Sequence, residues 1–76
     1  MDICTRLGQN LKRLRLDKGW SQEELAHQSG IHRTYVSDLE RGVRNPTIKI
    51  VEQLALTLNV TAGTLVEDPS LDGRLP

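Results

Sequence analysis

Apolar residues recur along this chain in threes and fours, the period of a helix and not of a strand. Ile3, Leu7, Leu11 and Leu14 stand four, four and three residues apart. At about 100° per residue they form one narrow stripe, which predicts a first helix from Ile3 to Lys18. Lys18 complements the dipole in the last turn, and Gly19 follows it. A second helix opens at Ser21-Gln22-Glu23-Glu24. There the Ser21 hydroxyl can accept from the Glu24 amide, and the Glu24 carboxylate can reach back to the Ser21 amide. Leu25 and Ala26 supply its apolar side, and Gly30 ends it.

The third helix is expected over Arg33 to Arg41, with His32 at the N-cap and Gly42 after the end. On a wheel of about 100° per residue, Arg33, Ser37, Arg41, Thr34 and Asp38 share one polar arc. Tyr35, Leu39 and Val36 occupy the opposite arc, and Glu40 lies on the border. Thr47 caps a fourth helix just after Pro46. Ile48, Val51, Leu54, Ala55 and Leu58 form its expected core stripe, with Ile50 and Leu56 left over. Thr61 can cap a short fifth helix bearing Leu65 and Val66. The pattern thus predicts an all-α, five-helix domain over residues 1–67 and a mobile tail over residues 68–76.

Composition narrows the class. Seventy-six residues make one small domain with a thin core, which a partner subunit would help. Cys4 is the single cysteine, so neither an intramolecular disulfide nor a cysteine zinc site is available. Cys4 has no visible activating group and reads as a partly buried thiol. His27 and His32 lack further ligands at matching spacing, so no metal or cofactor is expected. No apolar run approaches the roughly 18 residues of a membrane span, so a soluble cytoplasmic protein is expected. No phosphate loop, paired carboxylates or Ser/His/Asp set appears, and enzymatic activity is not expected. Trp20 reads as a core-edge residue between the first two helices.

Two short helices joined across Gly30, the second with a polar outer arc, match a helix-turn-helix. Residues near the start of such a second helix point at base edges in the major groove. Arg33 comes first, so its guanidinium could pair with guanine O6 and N7. Thr34 could meet a base or a thymine methyl. A cation is poorly placed at a helix N-terminus, and tolerating that cost hints at a ligand.

The stretches Leu25-Ala26, Ser29-Gly30-Ile31, Val36-Ser37, Leu39-Glu40-Arg41-Gly42 and Arg44-Asn45-Pro46-Thr47 resemble the phage-repressor (XRE) helix-turn-helix family. The resemblance covers roughly Leu7 to Glu67. Within that family, Arg33-Thr34-Tyr35-Val36-Ser37, Glu40-Arg41 and Arg44-Asn45 look most like controller proteins of restriction–modification systems. The resemblance implies a lambda-repressor-like domain that binds double-stranded DNA as a homodimer and regulates transcription. By it, Arg33, Thr34, Ser37 and Asp38 face the groove, while Gln22, Arg41 and Arg44 lie against phosphates. Tyr35 matches a position that approaches DNA in some controllers, although the wheel puts it nearer the core. Arg15 and Glu40 match a partly buried structural ion pair. Ile50, Leu56, Leu65 and Val66 are the expected dimer surface.

Some readings stay open. Asp38 could accept from cytosine N4, or its charge could repel phosphate at wrong sites. Arg44 could instead fix the loop before Pro46. Lys12, Arg13 and Lys18 read more simply as a solvated face than as a phosphate patch. An antitoxin-like or coactivator module on the same fold is the alternative function, and Glu23 could then meet a protein such as RNA polymerase. No small-molecule ligand is evident.

A balance of 10 cations against 10 anions is unusual for a DNA-binding domain. By segment the balance is uneven. Residues 1–20 carry five cations and two anions, or +3; residues 21–30 carry −2; residues 31–46 carry +1; residues 47–60 carry 0. Residues 61–76 carry −2 and cancel the +2 of the first 60.

Overall fold

The computed structural model describes residues 2–69. It contains five helices: α1 (Ile3–Asp17), α2 (Gln22–Ser29), α3 (Arg33–Glu40), α4 (Ile48–Leu58) and α5 (Ala62–Val66). The expected mobile tail lies, from Ser70 onward, outside the described residues. No strand occurs among the described residues.

Short polar side chains start four of the helices. Asp2, Ser21, Thr47 and Thr61 accept from the backbone amides of Cys4, Glu24, Ile50 and Thr64. Each bond satisfies one of the orphan amides of a first turn. At α2 the Ser21 half of the expected capping box forms at 3.0 Å, but the Glu24 carboxylate instead accepts from Gln28 at 2.7 Å. The helix α3 differs, because its N-cap, His32, makes no side-chain capping bond. Gly30 closes α2 in the left-handed conformation, φ 73°, where a side chain would be strained. The turn Gly30–His32 then sends α3 across α2.

Every helix contributes a fully buried apolar side chain: Leu11 of α1, Leu25 of α2, Val36 and Leu39 of α3, Leu54 of α4 and Leu65 of α5. Burying each is worth about 1.5–3 kcal/mol. Leu65, expected at a dimer surface, is 0% exposed. Its position on α5 points into this chain's own core, so it has no face to offer a partner. The expected stripe of α4 also needs adjusting. Val51, Leu54, Ala55 and Leu58 are buried, but Ile48 is 76% exposed and Ile50 is half-buried against the core. Ile48 lies about 70° from the centre of the buried arc and occupies the first residue of the helix, where nothing stacks above it. Ile3 is likewise exposed at the start of α1.

The helices α1 and α3 meet at Gly8. A Cβ there would lie 2.5 Å from the Leu39 carbonyl oxygen and 2.8 Å from that of Glu40. Glycine therefore lets the backbones touch at the C-terminal end of α3. Next to it, the buried Asn10 donates from Nδ2 to the carbonyls of Leu65 and Glu67, both at 2.8 Å. Arg6 Nε donates to the Val66 carbonyl at 3.0 Å. These bonds tie the end of α5 to α1. Among the described residues, no buried side-chain polar atom lacks a partner.

Candidate nucleic-acid interface

Beneath α3 sits a carboxylate shared by three helices. Glu40 accepts from Arg15 Nε at 2.7 Å and from Arg15 Nη2 at 3.0 Å. Gln22 Nε2 donates to the same carboxylate at 3.0 Å, and Arg15 Nη1 donates to the Trp20 carbonyl at 2.7 Å. The Arg15 and Glu40 side chains are only 8% and 4% exposed. The Glu40 hydrogen bond raises the Arg15 pKa above its already high ordinary value and outweighs burial, which acts the other way. The forked pairing fixes the angle of α3 against α1, and Gln22 fixes the first residue of α2 against both. Gln22, expected at a phosphate, therefore has part of its amide committed to Glu40.

On the outer side of α3, Arg33 and Thr34 are exposed and Ser37 is half-exposed. Among the described residues, none of these three side chains makes a hydrogen bond or ion pair with the rest of the fold. They line one arc, as the wheel predicts, while Val36 and Leu39 are buried on the other. Arg33 and Thr34 open the helix.

Asp38, Arg41, Arg44 and Tyr35 form a single cluster at the end of that arc. Asp38 Oδ1 accepts from Arg41 Nη2 at 2.6 Å, and Oδ2 accepts from Arg44 Nη2 at 3.0 Å. The Arg44 guanidinium lies over the Tyr35 ring, 4.4 Å from its centre. Hydrogen bonds from Arg41 and then Arg44 hold the Asp38 carboxyl below the ordinary aspartate value. The sequence pattern shows only part of this cluster. The Asp38–Arg41 spacing of three is a helical pairing signal, but Arg44 lies beyond the helix end, where periodicity is silent. Tyr35 is half-buried with one face covered by Arg44, which reconciles its core-side position with its place beside the arginines.

Other candidates fall outside this cluster. Glu23 is exposed on the first turn of α2. Trp20 is half-buried against the core, with Lys18 Nζ 5.4 Å from its ring centre. Among the described residues, no group of three metal-ligating side chains converges, and no helix is long and apolar enough to cross a membrane.

Residues 11–65 match the helix-turn-helix family HTH_3. The chain belongs to this XRE-type helix-turn-helix family. Its relatives in the family are transcription regulators. A Neisseria meningitidis protein described as a hypothetical transcription factor is 44% identical over 68 residues, covering 90% of this chain and 64% of that protein. The chain thus spans just under two thirds of that relative. The crystal structure of the Neisseria factor superposes with a TM-score of 0.93 at 41% identity, covering 99% of this chain and 86% of that one. The control protein C.BamHI of Bacillus amyloliquefaciens is 41% identical over 67 residues, 87% of this chain and 83% of the relative. The restriction–modification controller C.Esp1396I, solved as a tetramer on its natural 35-base-pair operator, superposes with a TM-score of 0.77 at 37% identity, covering 86% of each chain. Within the matched residues, α2 and α3 form the helix-turn-helix.

Proposed function

We propose that the protein is a homodimeric, sequence-specific transcription regulator acting on a roughly palindromic duplex, as a controller of restriction–modification genes. The observation that carries this reading is the outer arc of α3. Arg33, Thr34 and Ser37 stand free of structural duties on a helix locked from behind by Arg15, Gln22 and Glu40. In this reading Arg33 reads a guanine edge, Thr34 and Ser37 meet neighbouring bases, and Arg41 and Arg44 take phosphates. Similarity to C.BamHI and to an operator-bound C.Esp1396I supports the controller role.

Dimerisation places two α3 helices in successive major grooves about 34 Å apart. Exposed apolar surface is available for it. Ile48 and Leu56, 76% and 70% exposed, lie two turns apart, roughly 12 Å along α4. Val66, Ile3 and Ile48 also line an apolar hollow of about 150 Å³ between α1, α4 and α5. The dimer surface is accordingly built on Ile48, Leu56 and Val66, with Ile50 at its edge.

Selection of bound duplexes from a random pool tests the whole reading. It should return a site with two related half-sites. Against that site, Arg33→Ala should lower discrimination from random DNA. Equal losses on both duplexes for Arg33→Ala would remove it from base readout.

A further inference from the structure

The surface that faces DNA in the proposed function carries a carboxylate where a polyanion would dock, and the fold has no evident need of it. Asp38 is partly exposed, and its partners Arg41 and Arg44 are 64% and 43% exposed. Exposed ion pairs of this kind add little stability. Yet both carboxylate oxygens are engaged, one by each arginine, and Tyr35 holds the second arginine from another side. Each arginine spends one nitrogen on Asp38 and keeps its remaining N–H donors for another acceptor.

We infer that Asp38 is a positioning residue that makes the phosphate contacts of Arg41 and Arg44 depend on correct seating of α3. The inference rests on the DNA-binding reading above. A loose arginine on a long side chain finds a phosphate on any duplex, whatever the register, and so adds affinity without discrimination. Arg41 and Arg44 are not loose. Asp38 pins both to the last turn of α3, Arg41 from the helix end and Arg44 from the loop that follows, with half of their combined charge cancelled locally. Held this way, their free donors meet phosphates only where the helix lies at full depth in the groove. A duplex that lacks the right base edges does not admit that depth. Contact there requires the arginines to leave Asp38 first, and the carboxylate left behind then repels the backbone. Asp38 thus serves specificity without touching a base.

Both oxygens of Asp38 already accept from an arginine, and in this inference discrimination through Asp38 runs through those arginines and not through cytosine N4.

Asp38→Asn tests this, because it keeps the shape and removes the charge at a partly exposed position. The probes are the best duplex selected from a random pool and a duplex of scrambled sequence. Asp38→Asn should tighten binding to the scrambled duplex, leave the selected duplex unchanged or weaker, and lower their affinity ratio about tenfold, as expected when phosphate contact loses its dependence on seating. Binding to the scrambled duplex should also become more salt-sensitive. In an Arg41→Ala, Arg44→Ala background the same substitution should leave the ratio unchanged. An unchanged ratio in the otherwise native protein overturns the inference, as does weaker binding to the scrambled duplex. An equal fall without the two arginines would mean that Asp38 acts on a base itself, and also overturns it. A native chain that binds no duplex, or binds all equally, sinks the DNA reading as well, which separates the two failures.

Discussion

Gly8 shows how much one missing methyl group can decide. Its Cα sits where α1 presses on the last carbonyls of α3, and an alanine Cβ would lie within 3 Å of two backbone oxygens. Backbone cannot yield as a side-chain tip can, so Gly8→Ala should force the helices apart and cost about 1–3 kcal/mol despite the better helix propensity of alanine. Urea unfolding measures this, and a variant as stable as the parent would show that the contact relaxes freely. In the sequence, Gly8 reads as an ordinary helix interior residue, because close approach is a tertiary fact without local period. The apolar stripe does not single out Asn10 either, although it stands three residues after Leu7, where a polar group must find a buried partner. The polar arc of α3 was legible, since Arg33, Thr34 and Ser37 follow the helical period against buried Val36 and Leu39. What periodicity could not show was the pairing of Asp38 with Arg44, which depends on how the chain turns after α3.

Among the elements, α5 depends most on its neighbours. Five residues are too few to hold a helix by propensity, so the helix persists through Leu65 in the core and through α1 side chains grasping its last carbonyls. Asn10→Ala removes two of those bonds, one of them to the buried Leu65 carbonyl, at a cost of about 1–3 kcal/mol. Amide exchange in α5 should accelerate more than in α2 or α3, and a uniform change across all helices would contradict this local role. Because Val66 lies on the proposed dimer surface, the variant should also dimerise less well. Helix existence, order and most caps were legible, since Ser21, Thr47 and Thr61 announce their helices by chemistry alone. The Asp2 cap lay one residue before the first apolar position, where no stripe pointed to it. Leu65 in the core and Ile48 in solvent depart from expectation because a sequence does not show which turns have something packed against them.

Across the whole molecule, the net charge of zero and the ion pairs at the reading face limit how much binding can come from electrostatics alone. In the proposed dimer, two phosphate-contacting arginines per protomer would give four contacts, and a slope of log affinity against log salt of about −4. Filter binding across a salt series measures it; a slope near about −10 would require a phosphate footprint far larger than this surface supplies. The division of labour within α3 has a further outcome. Its inward residues, Val36, Leu39 and Glu40, carry the packing and the lock on α1 and α2, whereas Arg33, Thr34 and Ser37 carry none of it. Mutations at these three outward positions are therefore nearly neutral for folding. A gene duplicate could wander through many operator preferences without ever passing through an unfolded ancestor, and a library randomised at the same three codons should consist mostly of folded proteins that differ in what they read.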